Sequence, residues 1–119
     1  MEIRLKRVYN LPEKSDGKRI LVDRLWPRGL TKEKARLDFW AKEISPSNEL
    51  RQWYSHDPAK WDEFRQRYFT ELDASPLAYA ELLQAMGHGP VTFLFSSKEP
   101  TINNAAALTE YVEAKKKGD

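Results

Sequence analysis

Val91-Thr92-Phe93-Leu94-Phe95-Ser96-Ser97-Lys98-Glu99-Pro100 is a nearly continuous apolar run that stops at a polar turn. Five β-favouring residues without polar alternation read as a strand buried on both faces, the pattern of a parallel sheet covered on each side. Arg19 to Leu25, with the apolar run Ile20-Leu21-Val22, has the same character and runs into a polar turn, Asp23-Arg24-Leu25-Trp26-Pro27-Arg28-Gly29. If the two strands run parallel, both turns open on one edge of the sheet, where open α/β sheets bind ligands.

The remaining punctuation fits strands alternating with helices. Ile3 to Tyr9 reads as a first strand with Arg4 and Lys6 on its wetter face. Residues 10–18 are too few for a helical crossover, so the first two strands are either antiparallel or joined by an unusual extended connection. Thr31 caps a short helix; residues 38–44 fit either a strand or a continuation of that helix, with the alternation of Phe39 and Ala41 favouring a strand; and Ser47 opens a helix ending near Tyr54. Asp57-Pro58 and Ser75-Pro76 are cap-plus-proline starts. Trp61, Phe64, Tyr68 and Leu72 share one face of the first helix that follows, and Gly87 and Gly89 stop the second. Asn103 begins a last helix, and Lys115-Lys116-Lys117 at its end suits the helix dipole. The expected fold is an α/β three-layer sandwich, a mostly parallel sheet of about four strands flanked by helices, in a single domain over 1–119.

Composition bounds the chemistry. The 119 residues contain no cysteine and two histidines, so thiolate chemistry is absent, and neither a metal nor a cofactor is implied. No apolar stretch approaches a membrane span, and Met1-Glu2-Ile3-Arg4 lacks the order of a signal peptide, so no membrane partner and a cytoplasmic location are expected. Residues 1–36 hold 11 Lys and Arg against five Asp and Glu, whereas 37–119 hold nine against 13. That asymmetry is either two solvated faces or a basic surface near the first turn that attracts phosphate or carboxylate.

The two turns supply the candidate ligand-binding residues: Asp23, Arg24, Trp26 and Arg28 from one, Ser96 and Lys98 from the other, with Asn103 and Asn104 at the start of the last helix. Arg28 and Lys98 suit an anion, the helix start adds free N–H groups, Trp26 offers a stacking wall, and Asp23 can orient Arg28 or accept a hydroxyl. Asp23 is also the candidate catalytic base, provided burial raises its pKa. The structural alternative makes Asp23 the partner of Arg24 or Arg28 in an internal ion pair, Trp26 packing, and Asn103 a helix cap. His56-Asp57 could be an oriented imidazole, but Asp57 already reads as a cap and no nucleophile stands out.

The run Val22 to Leu30, with Pro46-Ser47, Leu50-Arg51, Trp53, His56-Asp57-Pro58, Trp61, Phe64, Tyr68, Lys98 and Asn103-Asn104, resembles the YeaO-like branch of the domain of unknown function 488 family across nearly the whole chain. The resemblance implies a small bacterial or archaeal cytoplasmic α/β protein, supports a strand at 38–44, and brings no assigned activity. Longer members of the wider family often carry cysteines at the positions matching Phe95 and Asn103 and a histidine matching Asn104. Here these are Phe, Asn and Asn, so a thiol or metal mechanism does not carry over. Asp23, Arg28, Lys98 and Asn103 are the matched polar positions that survive.

The leading functional expectation is an anionic, phosphate-containing small molecule, a nucleotide among them, bound at the carboxyl edge of the sheet; whether the chain is an enzyme is left open. The alternatives are a single-stranded nucleic-acid module using Arg4, Lys6 and Lys18 with Trp26 or Trp53, or a protein-interaction module without catalysis.

Overall fold

Four parallel strands form the sheet, and the computed structural model describes residues 2–118. The strands are β1 (Ile3–Arg7), β2 (Lys18–Leu21), β3 (Phe39–Trp40) and β4 (Val91–Phe95), in the order β1-β4-β2-β3. The apolar run of β4 is explained by its place: β1 and β2 flank it, pairing Leu5 with Phe93 and Ile20 with Phe93, and all five of its residues are buried. The helices are α1 (Lys32–Ala35), α2 (Asn48–Tyr54), α3 (Trp61–Asp73), α4 (Pro76–Met86) and α5 (Asn104–Gly118).

The layers on the two faces are unequal. Ile20, Val22, Val91, Phe93 and Phe95 pack into one large core with apolar residues of α2, α3, α4 and α5. Val8, Leu21 and Leu94 face the other way, beneath Trp26, Leu30, Leu37 and Trp40. That thinner side is covered by α1 and irregular chain, so the sandwich has one helical layer and one made mostly of turns.

The connection from β1 to β2 is the extended one, and the two strands are parallel but not neighbours. Residues 8–17 cross β4 with only a 3-10 turn, Lys14–Asp16, in place of a crossover helix. Side chains hold it down: Lys6 Nζ donates to Glu13 and Asp16, Arg19 Nη1 to Asp16, and Thr92 Oγ1 to the Asp16 carbonyl. Gly17 is obligatory, with φ of 65° and a position where a Cβ would collide with the Pro90 carbonyl.

Other elements depart in detail from the sequence expectation. The strand at 38–44 shrinks to two residues: after Ala41 N–H bonds Leu21 O, the chain turns, with Ser45 N–H on Lys42 O and Ser45 Oγ on Ala41 O. Thr31 and Ser47 cap α1 and α2 as expected. The Asp57-Pro58 start opens a 3-10 turn, Pro58–Lys60, that runs into α3, and Ser75 Oγ donates to Glu71 O instead of capping α4. Among the described residues no helix is long and apolar enough to cross a membrane, and no His, Cys, Asp and Glu cluster could hold a metal ion.

Candidate functional site

Parallel strands deliver the ends of β1, β2 and β4 to one edge, and the turns that follow them wall a cleft of about 950 Å³ closed on its far side by α2 and the start of α5. All eight residues singled out from sequence line it. The turn after β2 is stiff for local reasons. Leu30 N–H bonds Pro27 O across Gly29, whose φ of 77° a side chain would disfavour. Trp40 Nε1 donates to Asp23 O at 2.7 Å, Tyr9 hydroxyl to Arg28 O at 2.9 Å, and Trp26 Nε1 to Leu30 O at 2.6 Å.

Those eight residues divide by what their side chains already hold. Asp23 bolts the two turns together: its carboxylate accepts the Ser96 N–H at 2.8 Å and Asn104 Nδ2 at 2.9 Å, and Asn104 Nδ2 also reaches Val22 O. Neither Arg24 nor Arg28 is its ion-pair partner. Arg24 donates to Ser45 O and Pro46 O, anchoring the turn to the segment before α2. Asn103, buried, caps α5 by accepting the Ala106 N–H and donates to Glu99 O. Trp26 packs edge-on against Trp40 with ring centres 5.4 Å apart, over the thin-side core, so much of its surface is already used. Arg28 and Lys98 differ: both are exposed, and neither side chain has a hydrogen-bond or ion-pair partner among the described residues.

The cleft also recruits residues that the sequence did not connect to it. Arg7, at the end of β1, donates to Ser96 O and Ser97 O and lies over the Tyr9 ring at 5.0 Å. Arg51 comes from α2, where Nη1 reaches Asn48. Tyr54 donates to Ile102 O; burial pushes its phenol above the ordinary value, and Glu99 and Asp57 add to the shift, so it remains a protonated donor at neutral pH. The direction of β1 was the missing datum for Arg7. A parallel β1 ends at this edge, and a basic residue there would have been an obvious addition.

The electrostatic balance follows from these contacts. Five Lys and Arg line the cleft against two carboxylates, Asp23 and Glu99. Among the described residues the ion pairs fall on Arg4, Lys6, Arg19, Arg65 and Arg67, and none on Arg7, Arg24, Arg28, Arg51 or Lys98. Arg7 and Arg24 are held by carbonyls, which satisfy their N–H groups while leaving the positive charge uncancelled. Other basic residues of the first third are neutralised: Arg4 pairs with Glu2 and Lys6 with Glu13 and Asp16. Trp53 is half-buried beneath Arg67 and Lys60, at 4.3 and 5.1 Å.

Fold and cleft together define a small all-parallel α/β protein with a cation-lined cleft at the carboxyl ends of its strands. The chain belongs to the family described as the inactive DUF488-N3 subclade, whose profile matches residues 2–119. It is 42% identical over 114 residues to "Uncharacterized protein YeaO" of Escherichia coli (strain K12), covering 96% of this chain and 99% of the relative. It is 40% identical over 113 residues to "Uncharacterized protein Rv3073c" of Mycobacterium tuberculosis, covering 95% of each. No solved structure gives a significant match.

Proposed function

We propose that this protein binds a phosphate-containing small anion in the cleft at the carboxyl edge of its sheet, without turning it over. One observation carries the reading: five cationic side chains line one cleft and none of them is neutralised by a carboxylate. A concentration of like charge disfavours the empty site and favours a ligand of opposite sign. Arg28 and Lys98 supply the direct contacts, Arg51 a third, and Arg7 and Arg24 a fixed positive field. The start of α5 adds to that field.

Binding without chemistry is supported from two sides. Asp23, the sequence candidate for a base, has both oxygens engaged by Ser96 and Asn104. The subclade is itself described as inactive. A nucleotide fits the cleft by size, since about 950 Å³ falls within the range of small-molecule sites. Its base would rest against Tyr9 or the wall near Tyr54, because Trp26 is committed to Trp40. The single-stranded nucleic-acid reading has less support, with Arg4 and Lys6 paired internally.

Thermal-shift screening with nucleotides, sugar phosphates and pyrophosphate tests the reading. Stabilising hits that disappear in Arg28→Ala are expected. Hits unchanged in that variant would place the anion elsewhere.

A further inference from the structure

Two consecutive residues leave α2 with left-handed backbone, Ser55 at φ 44° and His56 at φ 57°. Each costs on the order of 1 kcal/mol in a residue with a Cβ. Ser55 is explained by helix termination, its N–H closing on Arg51 O. His56 comes after that closure, and the chain then turns at Asp57, whose N–H bonds Tyr54 O and whose carboxylate accepts the Ala59 N–H. Histidine, like asparagine and aspartate, adopts this backbone more readily than most residues with a Cβ, so the turn tolerates the imidazole. The ring is exposed and tilted against Tyr54, with ring centres 6.3 Å apart, and no hydrogen bond reaches it among the described residues. It lines the cleft.

We propose that His56 is an anion-contacting residue of this cleft and takes up a proton as the ligand binds, so that affinity rises as pH falls. The inference rests on the anion reading above. The charged and titratable groups facing the same space are Arg7 from β1 and Tyr9 just after it, Asp23, Arg24 and Arg28 from the turn after β2, Arg51 and Tyr54 from α2, and Lys98 and Glu99 from the turn after β4; Asp57 is next in the chain. Imidazole is the side chain whose charge ordinarily changes between about pH 5 and 8. An imidazolium adds one more positive charge opposite the ligand, and linkage is reciprocal: the form that binds the anion more tightly is favoured by the anion.

The chain carries its own control, because its second histidine, His88, is exposed in the turn after α4 and does not line the cleft. Imidazole proton resonances are followed by NMR through a pH titration, with and without sulfate, an anion whose charge is constant across that range. The expected result is a His56 midpoint moved to higher pH by saturating sulfate with His88 unmoved, and a sulfate affinity about fivefold higher at pH 5.5 than at 7.5. His56→Asn, which tolerates the left-handed backbone, should abolish that rise. Sulfate-dependent amide shifts at Arg28 and Lys98 with an unmoved His56 midpoint would overturn the inference and leave the anion reading standing. Absence of those amide shifts would overturn both.

Discussion

Replacing Asp23 with alanine separates a structural bolt from a functional carboxylate. The side chain accepts two hydrogen bonds, from Ser96 N–H at 2.8 Å and Asn104 Nδ2 at 2.9 Å. Hydrogen bonds to a charged group contribute about 1.5–3 kcal/mol each, and Asp23 is half-buried, so the low end applies. Asn104 keeps its bond to Val22 O, but the Ser96 N–H loses its acceptor in a partly buried setting. The sum is about 3 kcal/mol. With a urea slope of about 2 kcal/mol/M, the midpoint falls by roughly 1.5 M, and the thermal midpoint by about 10 °C. Urea unfolding monitored by tryptophan fluorescence measures this, since Trp40 bonds the Asp23 carbonyl. Asp23→Asn should lie between the two, keeping one acceptor oxygen and turning an amide N–H toward a donor. An alanine variant within about 0.5 kcal/mol of the parent would refute the bolt and return Asp23 to the list of free functional groups.

Other outcomes follow from the thin side of the sheet. Burial alone would raise the Asp16 carboxyl, but hydrogen bonds from Glu13 N–H, Lys6 and Arg19 outweigh it and hold the group below its ordinary value. The folded value is therefore lower than the unfolded one, so its stabilisation is complete above roughly pH 4 and is lost as pH falls through the folded value. Asp16→Asn should lose about 3 kcal/mol at pH 7, because buried Arg19 is left without its counter-ion and Lys6 keeps only Glu13, and should flatten the acid limb of a thermal-midpoint profile; an unchanged limb would contradict this. Gly17→Ala should lose at least about 3 kcal/mol, visible as a collapsed urea midpoint or insoluble expression, since its Cβ would meet the Pro90 carbonyl on a backbone of φ 65°.

Much of this fold was legible in residues 19–29 and 91–100. Continuous apolar runs gave the two central strands, and their polar stops gave the edge at which the cleft lies. The β1–β2 connection was less legible because it is stabilised by contacts distant in sequence, above all Thr92 with Asp16, separated by 76 positions. Residues 38–44 alternate like a strand, yet Ser45 and Pro46 bend the chain after two paired residues, and Arg24 stabilises the bend by binding both of their carbonyls. At the cleft, residue type indicated which side chains gather there but not what each does. An Asp or an Asn beside a basic turn has the same sequence signature whether it binds ligand, caps a helix or joins two loops. Asn103 caps, Asp23 and Asn104 join, and only the partner geometry separates them from Arg28 and Lys98.

The most direct test is calorimetric titration of pyrophosphate and a nucleoside diphosphate into the parent chain and into Arg28→Ala/Lys98→Ala at low salt. Lys115→Ala/Lys116→Ala/Lys117→Ala serves as a variant with basic charge removed far along α5. Each charge-assisted contact contributes about 1.5 kcal/mol, so the cleft double variant should bind roughly 100-fold more weakly while the tail variant stays within about threefold. Equal losses in both variants, or equal binding in the parent and the cleft variant, would contradict a cation-lined cleft as the binding site.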